Sequence, residues 1–265
     1  MKIFISADIE GVTGVTSWES TRYGGKDYEQ ACRQMSLEVA AACRAARAAG
    51  YEVVVKDGHE DAINIDPDLL PEGVQLIRGW MSDPLSMMGG LDDSYDGAMY
   101  IGYHSRAWTN TSPLKHTGED YLFNWIKING EYASEFTLNY IVADEMGVPS
   151  LFLSGDKGIC EEACSQYPGL VTVTTKEGIG NATWNLHPKT VIEQIEETVS
   201  QVLGAPLPKA RPLADSYTMV INYKDHQRAR RASFYPEAEL IDPYTVSITA
   251  KTPLKLAAAR MFMAE

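Results

Sequence analysis

The chain has 265 residues, 45% hydrophobic and 22% charged, with 23 Lys and Arg against 36 Asp and Glu and a formal net charge of −13. These values are globular and exclude a fibre or a disordered tail, and a chain of this length buries roughly 70–75% of its unfolded surface without disulfide staples. The acid surplus argues against nucleic acid, whose affinity rests on Lys and Arg at phosphates, and against an anionic membrane surface.

Residues 2–9 (KIFISADI) read as a buried strand, followed by Gly11 and Gly14 in a loop. Asp8 and Glu10 break the apolar run, so the start is not a signal peptide, and the expected location is cytoplasmic. No apolar run is long enough to span a bilayer. Asp27-Tyr28-Glu29-Gln30 resembles a capping box with Asp27 as N-cap, opening an Ala-rich helix to about Ala49 that Gly50 stops. Strands follow at 52–56, 74–77 and 97–103. Asn129-Gly130 between two further runs signals a hairpin. A helix is expected over 134–146, a buried strand over 148–153 and a short strand over 170–174. Val191, Ile195, Val199 and Val202 mark an amphipathic helix ending at Gly204.

Strands alternating with helices predict an α/β fold, a mostly parallel sheet with crossover helices. The Pro-rich stretch 205–212 reads as a linker. It divides a catalytic domain at 1–204 from a small C-terminal α+β appendage at 213–265, whose strands at 217–223 and 245–249 surround a basic stretch, Arg228 to Arg231.

The polar residues fall at strand ends, where open parallel sheets bind ligands. Three predicted strands end in Asp8-x-Glu10, Asp57-Gly58-His59 and Tyr103-His104. Singly these are ordinary: a strand-end Asp serves equally as a cap or turn former, and a lone His is more often a hydrogen-bonded loop residue than a ligand. Jointly, carboxylates and imidazoles on three ends of one sheet suit Zn, Mn or Fe. Cys32, Cys43, Cys160 and Cys164 show no CxxC spacing and read as buried free thiols, so metal chemistry falls to the five histidines and the carboxylates. His116 lies in a Gly/Thr-flanked loop and is a catalytic candidate or a surface residue. His187 reads as a cap and His226 as a surface partner of Asp225. The sequence has no HExxH, GxSxG, Walker A or GxGxxG motif.

The segments Ser6-Ala7-Asp8-Ile9-Glu10-Gly11-Val12-Thr13-Gly14, Asp57-Gly58-His59, Gly90-Leu91-Asp92-Asp93 and Gly102-Tyr103-His104-Ser105-Arg106-Ala107, followed by Lys115-His116, Asn129-Gly130, Ser134-Glu135 and Leu138-Asn139, resemble the M55 family of zinc metallopeptidases, the D-aminopeptidase family. Their order and spacing fit from Met1 to about Asp156. The resemblance implies two zinc ions per subunit held by Asp8, Glu10, His59, His104 and Glu135, with Asp8 bridging them and His116 as the catalytic histidine. From spacing alone Glu135 reads instead as a first-turn acid favoured by the helix dipole. Ser134 stands where the family often has Gly, a departure that bears on the substrate pocket.

The resemblance also implies an activity, hydrolysis of short peptides or amides with an N-terminal D-amino acid of the D-Ala type. Three carboxylates against two Zn²⁺ leave one positive charge, which a bridging hydroxide neutralises; that metal-bound hydroxide is the expected nucleophile. His116 would stabilise the oxyanion or protonate the leaving amine, and Asp57 would orient a ligand or cap its turn. The family also implies a homo-oligomer, a decameric ring, and a small peptide as partner. Three alternatives use the same residues: a di-metal phosphoesterase, which needs more basic groups than Lys115 and Arg106; another amidase; and a non-catalytic peptide-binding module.

Overall fold

The computed structural model describes residues 1–264. Its main sheet has seven strands in the order β3-β2-β1-β4-β7-β8-β9, formed by β1 (Lys2–Ala7), β2 (Glu52–Asp57), β3 (Val74–Ile77), β4 (Gly97–Tyr103), β7 (Ser150–Asp156), β8 (Val171–Ile179) and β9 (Ala182–Asn185). All neighbours are parallel except the edge pair β8–β9. The sheet is the expected mostly parallel one. The short strand expected at 170–174 instead runs on into a hairpin whose edge position leaves Ile179 and Trp184 exposed.

Side chains alternate across this sheet because strand residues point to opposite faces. Phe4, Val54 and Tyr100 enter one core, with Phe136 of α2 (Glu135–Glu145) and Ile159 of α3 (Lys157–Gln166). Ile3, Ile5, Val55 and Met99 enter the other, covered by α1 (Tyr28–Ala48) and α4 (Pro188–Leu203). Val191, Ile195, Val199 and Leu203 form the buried stripe of α4, each contributing about 1.5–3 kcal/mol of burial. α1 begins differently from expectation. Asp27 does precede it, but at φ 63°, and its side chain makes no capping bond. The left-handed turn there replaces the extended N-cap geometry that a capping box needs.

A second, antiparallel sheet runs β11-β12-β10-β5-β6. The hairpin β5 (Phe123–Ile128) and β6 (Glu131–Tyr132) turns at Asn129-Gly130 and pairs with β10 (Tyr217–Tyr223), which in turn pairs with β12 (Thr245–Ala250), flanked by β11 (Glu239–Asp242). Among the described residues the 213–265 segment therefore has no sheet of its own: Met219 lies opposite Ile128, and a division between 204 and 213 runs through one continuous sheet. The basic stretch lies in a helix, α5 (His226–Ala232), capped by the Asp225 carboxylate, which accepts from Gln227 N at 2.8 Å. α6 (Pro253–Met263), a helix not anticipated from the sequence, packs beside α2. Of the four thiols expected to be buried, Cys43 and Cys160 are, Cys32 is half-buried, and Cys164 is exposed beside the start of β8. Among the described residues no helix is long and apolar enough to cross a membrane.

Candidate metal centre

The strand order reverses between β1 and β4: from β1 the chain moves to β2 on one side, and β4 lies on the other. Such a switch point opens a crevice beyond the carboxyl ends of the strands. Asp8 and Glu10 leave β1 there and His104 leaves β4. Two glycines allow the strand ends to close in. Gly102 has φ +76°, and a Cβ on it would lie 2.2 Å from Asp8 O; a Cβ on Gly11 would lie 1.7 Å from Tyr103 O. Only glycine permits both the positive φ and the approach.

His59 comes from the loop after β2. Asp57 folds that loop: one carboxylate oxygen accepts from Asn64 N at 2.6 Å and Ile65 N at 2.8 Å, and the other accepts from Asn64 Nδ2 at 2.9 Å. Asn64 Nδ2 also donates to His59 O at 2.8 Å. Asp57 thus shapes the turn that presents His59, as its position suggested. Glu135 opens α2 behind a reciprocal cap: Ser134 Oγ accepts from Thr137 N, and Ser134 N donates to Thr137 Oγ1. It is a first-turn acid, yet its carboxylate turns to the histidines and accepts from Gly118 N at 2.8 Å.

Each of the three histidines has one ring nitrogen tied to a backbone carbonyl. His59 Nε2 donates to Thr21 O at 2.7 Å, His104 Nδ1 to Ser105 O at 2.9 Å and His116 Nδ1 to Leu114 O at 2.9 Å. A carbonyl only accepts, so the opposite nitrogen of each neutral ring carries a lone pair, and all three lone pairs face carboxylates. His59 Nδ1 lies 3.4 Å from Asp8 Oδ1 and 3.1 Å from Glu10 Oε2. His104 Nε2 lies 3.5 Å from Asp8 Oδ2 and 3.4 Å from Glu135 Oε2, and His116 Nε2 lies 3.4 Å from Glu135 Oε1. Asp8 therefore offers one oxygen toward each of two imidazoles. His104 and His116 stack, with centroids 4.1 Å apart.

The ligand atoms of Asp8, Glu10 and His104 all lie within 4.8 Å of one another, as do those of His104, His116 and Glu135. Asp8 Oδ2, Glu10 Oε2 and His104 Nε2 are buried with no hydrogen-bond partner among the described residues. Leaving such atoms unpaired costs about 1–3 kcal/mol each, more when charged, and a divalent cation between them removes that cost. The donor set, imidazole plus carboxylate, fits zinc or manganese. His116 stands within ligand reach as well as catalytic reach.

The electrostatics match. Burial, then the Glu10 charge, pushes the Asp8 carboxyl up to about 8. Burial also opposes charge on Glu135, but His104 and His116 outweigh it and bring the group down to about 2. His59 likewise holds Glu10 well below the usual range against burial. Burial opposes protonation of His104, yet Glu135 and Asp8 lift it to about 10. Without a metal, protonated imidazoles carry the cationic charge these carboxylates demand. His116 moves the other way, downward, through burial and then the neighbouring His104.

All six expected residues converge, while His187 caps α4, its Nδ1 accepting from Lys189 N at 3.2 Å, and His226 sits exposed 3.6 Å from Asp225. Sequence reasoning missed Lys176. It is fully buried on β8 and its ammonium donates to the carbonyls of Glu10, Val12 and Val15, fixing the loop after β1. A Lys in the alternating stretch VTVTTKEGI gives no signal of this. Nor does sequence assign a role to Ser6, Tyr103 or Asn139. Tyr103 Oη lies 2.8 Å from Ser6 Oγ and accepts from Asn139 Nδ2 at 2.8 Å beneath the cluster.

The cluster lies in a cavity of roughly 650 Å³ that also takes in Trp18, Glu60, Asp61, Trp80, Glu119 and Arg260. The M55 peptidase family model, described as D-aminopeptidase, matches residues 1–263. The D-aminopeptidase of Bacillus subtilis (strain 168) is 30% identical over 274 residues, covering all of this chain and 97% of the relative. The solved structure of the Zn-dependent D-aminopeptidase DppA from Bacillus subtilis, a self-compartmentalizing protease, superposes with a TM-score of 0.93 at 29% identity, over 99% of this chain and 96% of that one. With the family match spanning nearly every residue and the expected strand-end side chains gathered in one cluster, the chain belongs to the M55 family of D-aminopeptidases.

Proposed function

We propose that the protein removes the N-terminal D-residue from short peptides at a centre where Asp8, Glu10, His59, His104 and Glu135 would hold two zinc ions, Asp8 having one oxygen toward His59 and the other toward His104. The observation that carries this reading is the pair of pinned imidazoles, His59 and His104, which face Glu10 Oε2 and Asp8 Oδ2, buried oxygens without hydrogen-bond partners among the described residues. The zinc dependence of the solved relative supports it. Bound divalent ions acidify water and polarise a carbonyl at neutral pH.

The protein's own groups supply the rest. His116 Nε2 reaches the cluster while Nδ1–H is held by Leu114 O, so the ring is oriented and its free nitrogen is the one that exchanges a proton. Burial, then the neighbouring His104, disfavours the protonated form of the ring, which suits a group that passes a proton on to the departing amine. Glu60, Asp61, Asp83 and Asp120 give the cavity an acidic edge suited to a substrate ammonium. That edge also disfavours the phosphate-ester alternative.

The assembly reading rests on the self-compartmentalizing relative and on apolar side chains left at the surface, with Trp184 75% and Ile179 56% exposed on the β8–β9 hairpin. It is a homo-oligomer, a decameric ring, which light scattering tests. Activity is tested with D-Ala-D-Ala and L-Ala-L-Ala before and after chelation. The expected result is D-selective turnover that chelation abolishes and Zn²⁺ restores. Equal turnover of the L-peptide, or turnover indifferent to chelation, contradicts it.

A further inference from the structure

Two arginines line the cavity, and their surroundings differ. Arg22 lies 3.1 Å from Asp120 Oδ2 and 3.9 Å from Glu60 Oε1, so its charge is already met at the edge. Arg260 reaches in from α6. Among the described residues it forms no ion pair and no side-chain hydrogen bond, although Glu135 and Glu119 attract it. Its position is close to the centre. A Cβ on Gly118 would lie 3.3 Å from Arg260 Nη1, and the amide of the same Gly118 donates to Glu135 Oε1 at 2.8 Å. The guanidinium thus stands beside the single residue that separates it from a carboxylate of the cluster.

Among the described residues no Lys lines the cavity, and the other ionic groups along its edge are Glu60, Asp61, Asp83, Glu119 and Asp120. Away from the metal cluster, an anionic group entering with a substrate therefore has one unpaired cationic side chain to meet. A guanidinium presents N–H donors in a planar fork that matches a carboxylate in two parallel bonds. In a dipeptide the terminal carboxylate lies one residue beyond the scissile nitrogen, and one residue of extended chain spans about 3.3–3.6 Å. A peptide bond seated on the cluster thus carries its terminal carboxylate to the Gly118–Arg260 wall. In a longer peptide a neutral amide carbonyl occupies that place.

We propose that Arg260 is a specificity-determining residue that binds the free C-terminal carboxylate of a dipeptide substrate, so that the protein favours free dipeptides over amidated or longer ones. This inference rests on the D-aminopeptidase reading of the site. Arg260 is contributed by the C-terminal segment, which gives α6 a place in substrate selection as well as in packing. Leu138 and Asn139 of α2 and Met261 and Ala264 complete the same wall.

The test compares kcat/KM on D-Ala-D-Ala and on its C-terminal amide, using the Zn-loaded protein, Arg260→Gln and Arg260→Lys. The unsubstituted protein is expected to prefer the free acid by about ten- to hundredfold, the range of a hydrogen-bonded charge. Arg260→Gln should bring the ratio close to one, chiefly through KM on the free acid, and Arg260→Lys should retain part of the preference. The ratio in the unsubstituted protein requires no variant to fold, and a value near one overturns the inference. So does an Arg260→Gln protein that loses equally on both substrates, the mark of a purely structural role. No turnover of either substrate by the unsubstituted protein overturns the D-aminopeptidase reading, and this inference with it.

Discussion

On the cavity floor, His59, His104 and His116 each have one nitrogen tied to a backbone carbonyl, and Asp57, Ser134 and Lys176 hold the loops that carry the acids and imidazoles. On the α6 wall, Arg260 stands near Glu119 and Glu135 and closes no ion pair among the described residues. On the proposed reading the floor would keep its two ions from one turnover to the next, which suits a geometry fixed in advance with the strain of clustered carboxylates met by buried supports. The wall would meet a substrate that must arrive and leave, which suits a charge left available. A rigid floor under an available wall is the division that preorganised catalysis calls for.

Removing a floor ligand should have the largest effect. His104→Ala takes away the imidazole common to both groups of ligand atoms. It should lower metal content and turnover by more than the ten- to hundredfold typical of losing an outer support, as read by elemental analysis and kcat. Full metal content in that variant would break the account of the floor.

His116→Ala comes next. If His116 moves protons, kcat falls about 10²- to 10⁴-fold while bound metal per chain is unchanged. If metal is lost in step with activity, His116 belongs among the ligands, a role its 3.4 Å approach to Glu135 also permits.

Asp57→Ala probes the support one step further out. The amides of Asn64 and Ile65 lose their acceptor, and metal affinity should fall about ten- to hundredfold. A protein with intact zinc affinity but a lower melting temperature would reassign Asp57 to the fold alone. At the small end, His226→Ala should change neither metal content nor turnover, because that ring is exposed beside Asp225, away from the cavity.

The floor was largely legible in the chain because parallel strands mark their carboxyl ends with polar residues. Asp8, Glu10, His59 and His104 all come after apolar runs that read as β1, β2 and β4. Glu135 was legible only by resemblance: a first-turn helix acid satisfies the same local pattern whether or not it turns toward histidines, and the Gly118 contact that aims it comes from 17 residues upstream. Lys176 and Arg260 were not legible. Lys176 acts on β1-loop carbonyls more than 160 residues away, and Arg260 reaches the cavity only because α6 packs against α2. The capping expectation at Asp27 failed for a local reason, since a left-handed backbone precludes the cap whatever the side chain. The shared sheet of β5 and β10 was hidden because antiparallel pairing between strands about 90 residues apart leaves no periodic trace in either.

If the buried carboxylate–imidazole floor holds the divalent ions on which D-peptide hydrolysis depends, metal uptake and activity must rise together. Titrating Zn²⁺ into chelator-treated protein, with bound zinc per chain and D-Ala-D-Ala turnover followed in parallel, tests this most directly. Two tightly bound ions per chain, with turnover rising from zero as they bind, is the predicted result. Full turnover in the metal-free protein, or zinc uptake that leaves turnover at zero, would contradict it.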